Sequence, residues 1–406
     1  MLTYTYTARD PSTGAKIKAD VQAESEQAAA KLIKQQGYAP LEITPAVAES
    51  TGLLSRFTNH IRTKDKILFS RQLSTLINAG LPLVQSLRST ANQTKSKPLK
   101  VVVSKVINDV EAGMAFSQAL AKHPGVFGEV YIGLISAGEV SGTLDKALER
   151  LADQQEKDAE ILSKVRGAMV YPIIVLLVMV GVVTFMLLAV LPQVQELYKG
   201  LPGARLPFIT SALLAVSAFT GKFWWAILGV MGVGVFLTTR WARTGPGKRV
   251  VDRLKIESIV IGQLFKKLYM ARFARTSTTL VASGVPLLQV LSITAKSINN
   301  IHVEESINNA ASKVKGGKAL SDSLEGDRNF DELVPNMLRI GEQSGSVEDM
   351  LAKTADYFEK EVDNQIKTIS TIIEPIMMIL MGIMALLIVA AILLPIYGLV
   401  GQGVLN

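Results

Sequence analysis

Two carboxylates occur in matching frames: Glu139 in Gly-Glu-Val-Ser-Gly (138–142) and Glu342 in Gly-Glu-Gln-Ser-Gly (341–345). A carboxylate so placed can move a proton, ligate a cation, or cap a helix whose first N–H groups lack partners. Proton transfer or nucleophilic chemistry needs a second group within reach. No base, activated nucleophile or cluster of metal ligands recurs beside either glutamate. The three histidines, His60, His123 and His302, are far apart in the chain, and there is no Cys. That composition excludes disulfides, thiolate chemistry, Cys-ligated zinc and iron–sulfur clusters. The chain has no G-x-x-x-x-G-K-[ST] for a P-loop, no H-E-x-x-H for zinc and no G-x-S-x-G nucleophile elbow. No enzyme chemistry and no cofactor follow from these residues. The glutamates read as caps or turn braces, or as part of a contact surface.

Behind the paired frames lies a longer duplication. Shifting the chain by about 204 residues lays FSRQLSTLINAGLPLVQSL (69–87) on FARTSTTLVASGVPLLQVL (273–291). Arg71 then pairs with Arg275, Gly80 with Gly284 and Pro82 with Pro286; EAGMAFSQAL (111–120) pairs with KGGKALSDSL (315–324). After one residue of slippage, Glu139 pairs with Glu342, Gly142 with Gly345, Tyr171-Pro172 with Glu374-Pro375, and Pro192 with Pro395. Arg71, Glu139, Gly142, Arg275, Glu342 and Gly345 are therefore the candidate contact residues, toward a partner or between domains. For each arginine an ion pair within its own bundle is the alternative.

Within each copy the pattern is helical. Phe69, Leu73, Leu76 and Ile77 fall on one face of a helix, Gly80 sits where a C-cap belongs, and Pro82 opens the next helix. Each copy is expected to form an antiparallel bundle of about six helices. Residues 1–45 differ: TYTYTA alternates, SEQAAAKLIKQQ reads as a helix and YAPLEI as a strand, a small β-α-β-like module. Residues 46–63 read as a linker, leaving 64–166 and 241–371 as the two helical domains.

Residues 167–195, 223–239 and 375–406 contain no Asp, Glu, Lys or Arg. Such runs are long enough to cross a bilayer as helices. Three spans are expected, at 168–191, 223–240 and 372–395. Lys157, Lys164 and Arg166 precede the first span, Arg240, Arg243, Lys248 and Arg249 follow the second, and Lys360 and Lys367 precede the third. Positive residues favour the cytoplasmic side, which puts the N-terminus and both bundles in the cytoplasm and the C-terminal tail, 396–406, outside. The polar start MLTYTYTARDPSTG has no secretory-leader pattern. The external piece, 192–222, includes an amphipathic stretch, Phe208–Thr220, suited to the outer membrane surface. The formal net charge of +8 is not concentrated in any one segment, so nucleic acid is not an expected partner. Tyr171, Pro172, Pro192, Glu374, Pro375 and Pro395 are the candidate membrane-insertion and hinge residues. Proline inside a helix removes a hydrogen bond and bends it. Glu374 falls at the cytoplasmic edge of the third span, where a carboxylate must be paired or interfacial.

The tyrosine-proline pair followed twenty residues later by Pro192, its recurrence from Pro375 to Pro395, the doubled G-E-x-S-G, the doubled G-[LV]-P-L and the ARFART segment (271–276) closely resemble the GspF/PilC family. That family forms the inner-membrane platform of type II secretion and type IV pilus machines. The resemblance covers nearly the whole chain. It implies a mostly α protein: two homologous cytoplasmic helical bundles, three transmembrane helices and a small N-terminal α+β module. It further implies a non-enzymatic, homo-oligomeric scaffold in the inner membrane. Such a platform couples a cytoplasmic hexameric ATPase to insertion of pilin or pseudopilin subunits into a fibre, alongside other inner-membrane assembly proteins. A subunit of an oligomeric transporter or channel is the competing expectation. It calls for polar residues along a path through the membrane, and the spans offer few beyond Thr184, Thr238 and Glu374.

Overall fold

The protein is described from a computed structural model covering residues 2–9, 16–23, 26–45, 61–193, 196, 208–259 and 261–401. Within the described residues, the linker at 46–63 is seen only from Ile61 onward, and most of 194–207 and the tail beyond 401 lie outside.

The N-terminal module is a three-stranded antiparallel sheet with one helix. Strands β1 (Leu2–Arg9), β2 (Lys16–Ala23) and β3 (Ala39–Pro45) are ordered β2-β1-β3, and α1 (Glu26–Gln35) lies between β2 and β3 in sequence. Tyr6, Ala8 and Ile33 are buried together, which is why the strand alternation places Tyr6 and Ala8 on one face.

The first repeat contributes α2 (Thr63–Asn78), α3 (Leu83–Gln93), α4 (Lys97–Glu111), α5 (Phe116–Ala121), α6 (Glu129–Ser141) and α7 (Leu144–Phe185). A five-residue π turn, Met186–Val190, follows α7. Helix α8 (Phe208–Ala242) and helix α9 (Gly245–Glu257) lead into the second repeat. That repeat supplies α10 (Gly262–Ala282), α11 (Leu287–Ser297), α12 (Ile301–Lys315), α13 (Leu320–Leu324), α14 (Leu333–Ser344) and α15 (Val347–Gly401). The six helices of each copy correspond one to one. The first hairpin closes as its residues dictate: Gly80 takes φ 83°, the Leu81 N–H reaches back to the Leu76 carbonyl at 3.1 Å, and Pro82 precedes α3.

The slippage between copies also has a structural site. Phe127 stacks against Phe69 at 6.3 Å in the first repeat, and Phe330 against Phe273 at 5.1 Å in the second. From its first residue to Phe127 the α5 segment is one residue longer than the α13 segment to Phe330, because α5 has six residues and α13 five. The aromatic anchor is retained and the short helix absorbs the difference.

By packing, the chain forms two units: Met1–Ala159 with Thr279–Ile293, and Glu160–Thr278 with Thr294–Asn406. This departs from the boundaries read in sequence. Residues 279–293, the tip of the second repeat's first hairpin, pack in the first unit because Leu280, Val285, Val290 and Ile293 are buried in its core with Leu134 and Ile135.

Among the described residues three helices are long and apolar enough to cross a membrane, in stretches Leu144–Gln193, Leu214–Ala242 and Val347–Leu393. The amphipathic stretch and the second span are one helix, α8, bent at Phe223 (φ −115°, ψ 19°). Pro172 does not break α7, which runs on to Phe185. Glu374 and Pro375 lie deep inside α15. Pro395 is also within α15, which continues to Gly401.

Candidate functional site

The doubled G-E-x-S-G resolves into four separate jobs. Helix α5 begins after Ala115 and α13 after Ala319, residues that cannot cap a helix, and neither has a side-chain cap of its own. Glu139, one helix away, supplies it: its carboxylate accepts the N–H of Phe116 at 2.5 Å and of Ser117 at 2.9 Å. Glu342 does the same for Leu320 at 2.6 Å, and also accepts the Ser321 hydroxyl at 2.5 Å. A negative group there also meets the positive end of the helix dipole.

The first glycine of each motif exists for contact. A Cβ on Gly138 would lie 2.6 Å from Ala147 Cβ, and one on Gly341 2.8 Å from Val347 Cα. The serines, Ser141 and Ser344, bond back to the carbonyls of Ala137 and Ile340, each at 2.7 Å. The last glycines, Gly142 (φ 69°) and Gly345 (φ 70°), end α6 and α14 in the left-handed conformation. All four jobs are done within the bundle itself.

Arg71 and Arg275 form a second doubled device. Arg71 on α2 donates to Asp153 at 2.5 Å and to both oxygens of Glu156 at 2.7 Å, on the long helix α7. Arg275 on α10 donates to Asp356 at 2.6 Å and Glu359 at 2.7 Å on α15. The acids are not among the sequence candidates, although Asp153-x-x-Glu156 and Asp356-x-x-Glu359 recur in the repeat's register, three residues apart on one helix face. The hydrogen bond to Glu156, then that to Asp153, hold the Arg71 guanidinium well above its ordinary pKa. Burial of Arg275 opposes its charge, yet the bonds to Glu359 and Asp356 outweigh that, and its pKa also rises. Each arginine ties the base of a membrane-bound helix to its own bundle.

Further along these helices, Ile161, Leu264, Leu268, Val362 and Ile366 form a buried cluster, and Lys164 meets Asp363 at 2.7 Å. Beyond it, Tyr171, Glu374 and Pro375 are exposed while Pro172 is buried. At the far end, Met186, Leu191, Leu214 and Ala391 cluster around the π turn. Pro192 explains that turn. Its ring would clash with the carbonyl four residues back, and here the Leu191 N–H reaches Met186, five back. Pro192 has no N–H to offer the Leu187 carbonyl in that register, and the Ser217 hydroxyl on α8 donates to it instead. Arg71 and Glu139 thus take their partners within the first bundle, and Arg275 and Glu342 within the second. Among the described residues no group of three or more His, Asp or Glu is placed to hold a metal ion.

Known proteins match this architecture throughout. The family described as type II secretion system (T2SS) protein F matches residues 69–192 and again 273–395, and its N-terminal domain matches 1–44. The chain belongs to the type II secretion system protein F family. The two matched blocks are the two repeats found in the sequence. Similar relatives include the type IV pilus assembly protein PilC of Thermus thermophilus, 38% identical over 99% of both chains. Another is PilC of Myxococcus xanthus, 34% identical over 96% of this chain and 93% of its own. The type II secretion system protein F of Pseudomonas aeruginosa is 34% identical over 98% of this chain and 99% of its own. The chain is mostly α, with three helices among the described residues long and apolar enough to cross a membrane, and its relatives are named as pilus assembly and type II secretion proteins.

Proposed function

We propose that this chain is the inner-membrane platform on which a type IV pilus-like or type II secretion fibre is assembled. In this reading a cytoplasmic hexameric ATPase engages the helical bundles, and the spans receive pilin or pseudopilin helices leaving the bilayer. The platform works as a homo-oligomer beside other inner-membrane assembly proteins, with no chemistry of its own. The N-terminus and bundles face the cytoplasm and the C-terminus the outside, as the flanking Lys and Arg favour.

One observation carries the reading. Helices α7 and α15 each start in a braced bundle, at Leu144 and Val347, and continue without interruption into the apolar stretch. A stiff rod clamped at its base by Arg71 or Arg275 transmits displacement of the bundle to the membrane, which a flexible joint would absorb. The test exploits the absence of native cysteine. Photoreactive probes on single cysteines at the exposed bundle positions Glu149 and Glu348 should capture the ATPase, and probes at Glu374 should capture fibre subunits. Capture of neither in assembling cells would overturn the proposal.

A further inference from the structure

The first unit contains one contact made between the two repeats. The second repeat's hairpin tip, residues 279–293, seats on α6 and α7 of the first repeat. Gly133 leaves the room, since a Cβ there would lie 2.7 Å from Ile293 Cδ1. Arg150 closes the edge by donating to Ser283 at 3.2 Å. Gln154, on the same face of α7, is only 7% exposed.

Duplication produces the tip and the receiving surface twice. In the second repeat, Asn336, Ile340, Lys353 and Tyr357 occupy the positions of Gly133, Ala137, Arg150 and Gln154. Here the surface is open: Ile340 is 52% exposed, Tyr357 47% exposed, and Asn336 and Lys353 are exposed. Two large apolar side chains on adjacent helices face water where the sister surface is covered.

We infer that a second copy of this chain covers this face with its first-repeat hairpin tip, the turn around Gly80-Leu81-Pro82 flanked by Leu76 and Ser89. Three features favour that occupant. Leu76 and Leu81 stand where Leu280 and Val285 stand in the buried tip, so two of its four apolar contacts are kept, while Ser86 and Ser89 replace Val290 and Ile293. The partners also change together: Gly133 opposite Ile293 becomes Asn336 opposite Ser89. The receiver gains volume where the tip loses it, and both sides become polar, a match in size and hydrogen bonding.

The third feature is charge. Helix α2 ends at Asn78, and Asn78, Ala79 and Gly80 are exposed, so its negative dipole end points outward. Lys353 takes the place from which Arg150 meets the corresponding end of α10. Asn336 also borders an open cleft of about 740 Å3 with Phe330 and Pro335, leaving space for an incoming turn. The contact within the chain thus serves as the template for the contact between chains.

The experiment uses the full chain in membranes and requires neither ATPase nor fibre subunit, so its outcome is independent of the platform reading. Two differently tagged copies are co-expressed, one with Ser89→Cys and one with Asn336→Cys, and treated with a short bismaleimide. An adduct carrying both tags is expected, with none from either variant alone. Absence of a mixed adduct, with both thiols shown to react with a monofunctional maleimide, would overturn the inference. So would an intramolecular link in a chain bearing both cysteines. Adding Ile340→Asp on the receiver, or Leu81→Asp on the tip, should lower the mixed adduct at least tenfold without changing the far-ultraviolet helix signal. An unchanged yield from both would also overturn it.

Discussion

The Glu139 carboxylate accepts the backbone N–H of Ser117 at 2.9 Å, so one helix carries the cap that another lacks. Glu342 and Leu320 repeat the relationship in the second bundle. Because α5 and α13 have only six and five residues, neither can gain much from its own hydrogen bonds. The borrowed cap holds these short helices in place and fixes where α6 and α14 must pack.

Replacing Glu139 or Glu342 by alanine should therefore cost about 1–2 kcal/mol each, the range for a lost cap with charge-assisted bonds. Glutamine, which keeps one acceptor oxygen, should cost less. Thermal unfolding of the detergent-solubilised protein checks the order alanine, glutamine, wild type. If the residues served only a partner, both variants would melt like wild type.

The two arginine clamps should differ in strength. The Arg71 side chain is 33% exposed, and its acids more so, whereas Arg275 is 21% exposed and Glu359 only 16%. Arg71→Ala should cost about 1 kcal/mol or less, as solvent-screened pairs do. Arg275→Ala leaves Glu359 charged and mostly enclosed, and should cost about 2–3 kcal/mol. Adding Glu359→Gln to Arg275→Ala should recover part of that loss, which a double-mutant cycle measures.

The glycines of the brace should separate by mechanism. Gly142→Ala and Gly345→Ala place a side chain at positive φ and should cost about 1–2 kcal/mol. Gly138→Ala and Gly341→Ala force apart the helices they join, at about 1–3 kcal/mol. Asparagine, which tolerates the left-handed region, should largely restore position 142 and not position 138. Equal rescue at both would contradict the assignment.

Tyr131 gives the first bundle an alkaline limit. Burial pushes its phenol up to about 12 from an ordinary 10.0, against a smaller opposing effect of the Ser70 hydrogen bond. A group whose pKa is raised by folding stabilises fully below its unfolded value. Its contribution is then lost as pH climbs from 10 through about 12. Stability should fall across that interval in the wild type and fall less in Tyr131→Phe. Ultraviolet difference spectroscopy should show one tyrosine ionising late, together with unfolding.

Much of this protein was legible in its sequence because its signals are local or periodic. Charge-free runs at 167–195, 223–239 and 375–406 mark membrane helices from solvation cost alone. The register joining Arg71 to Arg275 and Glu139 to Glu342 disclosed a duplicated bundle. Gly80 and Gly284 announced turns that call for positive φ, and each takes it.

What the tertiary structure alone decided is who meets whom. That Glu139 reaches across to Ser117, or that Asp153 and Glu156 receive Arg71, depends on helices distant in the chain coming side by side. Local periodicity carries no record of that pairing. Likewise, nothing local tells that residues 279–293 leave their own repeat for the first unit, because an apolar turn has the same pattern wherever it is buried. Pro172 and Pro192 differ for the same reason. One is carried within a continuous helix, while the other shifts the hydrogen-bond register and draws in Ser217 from a separate helix.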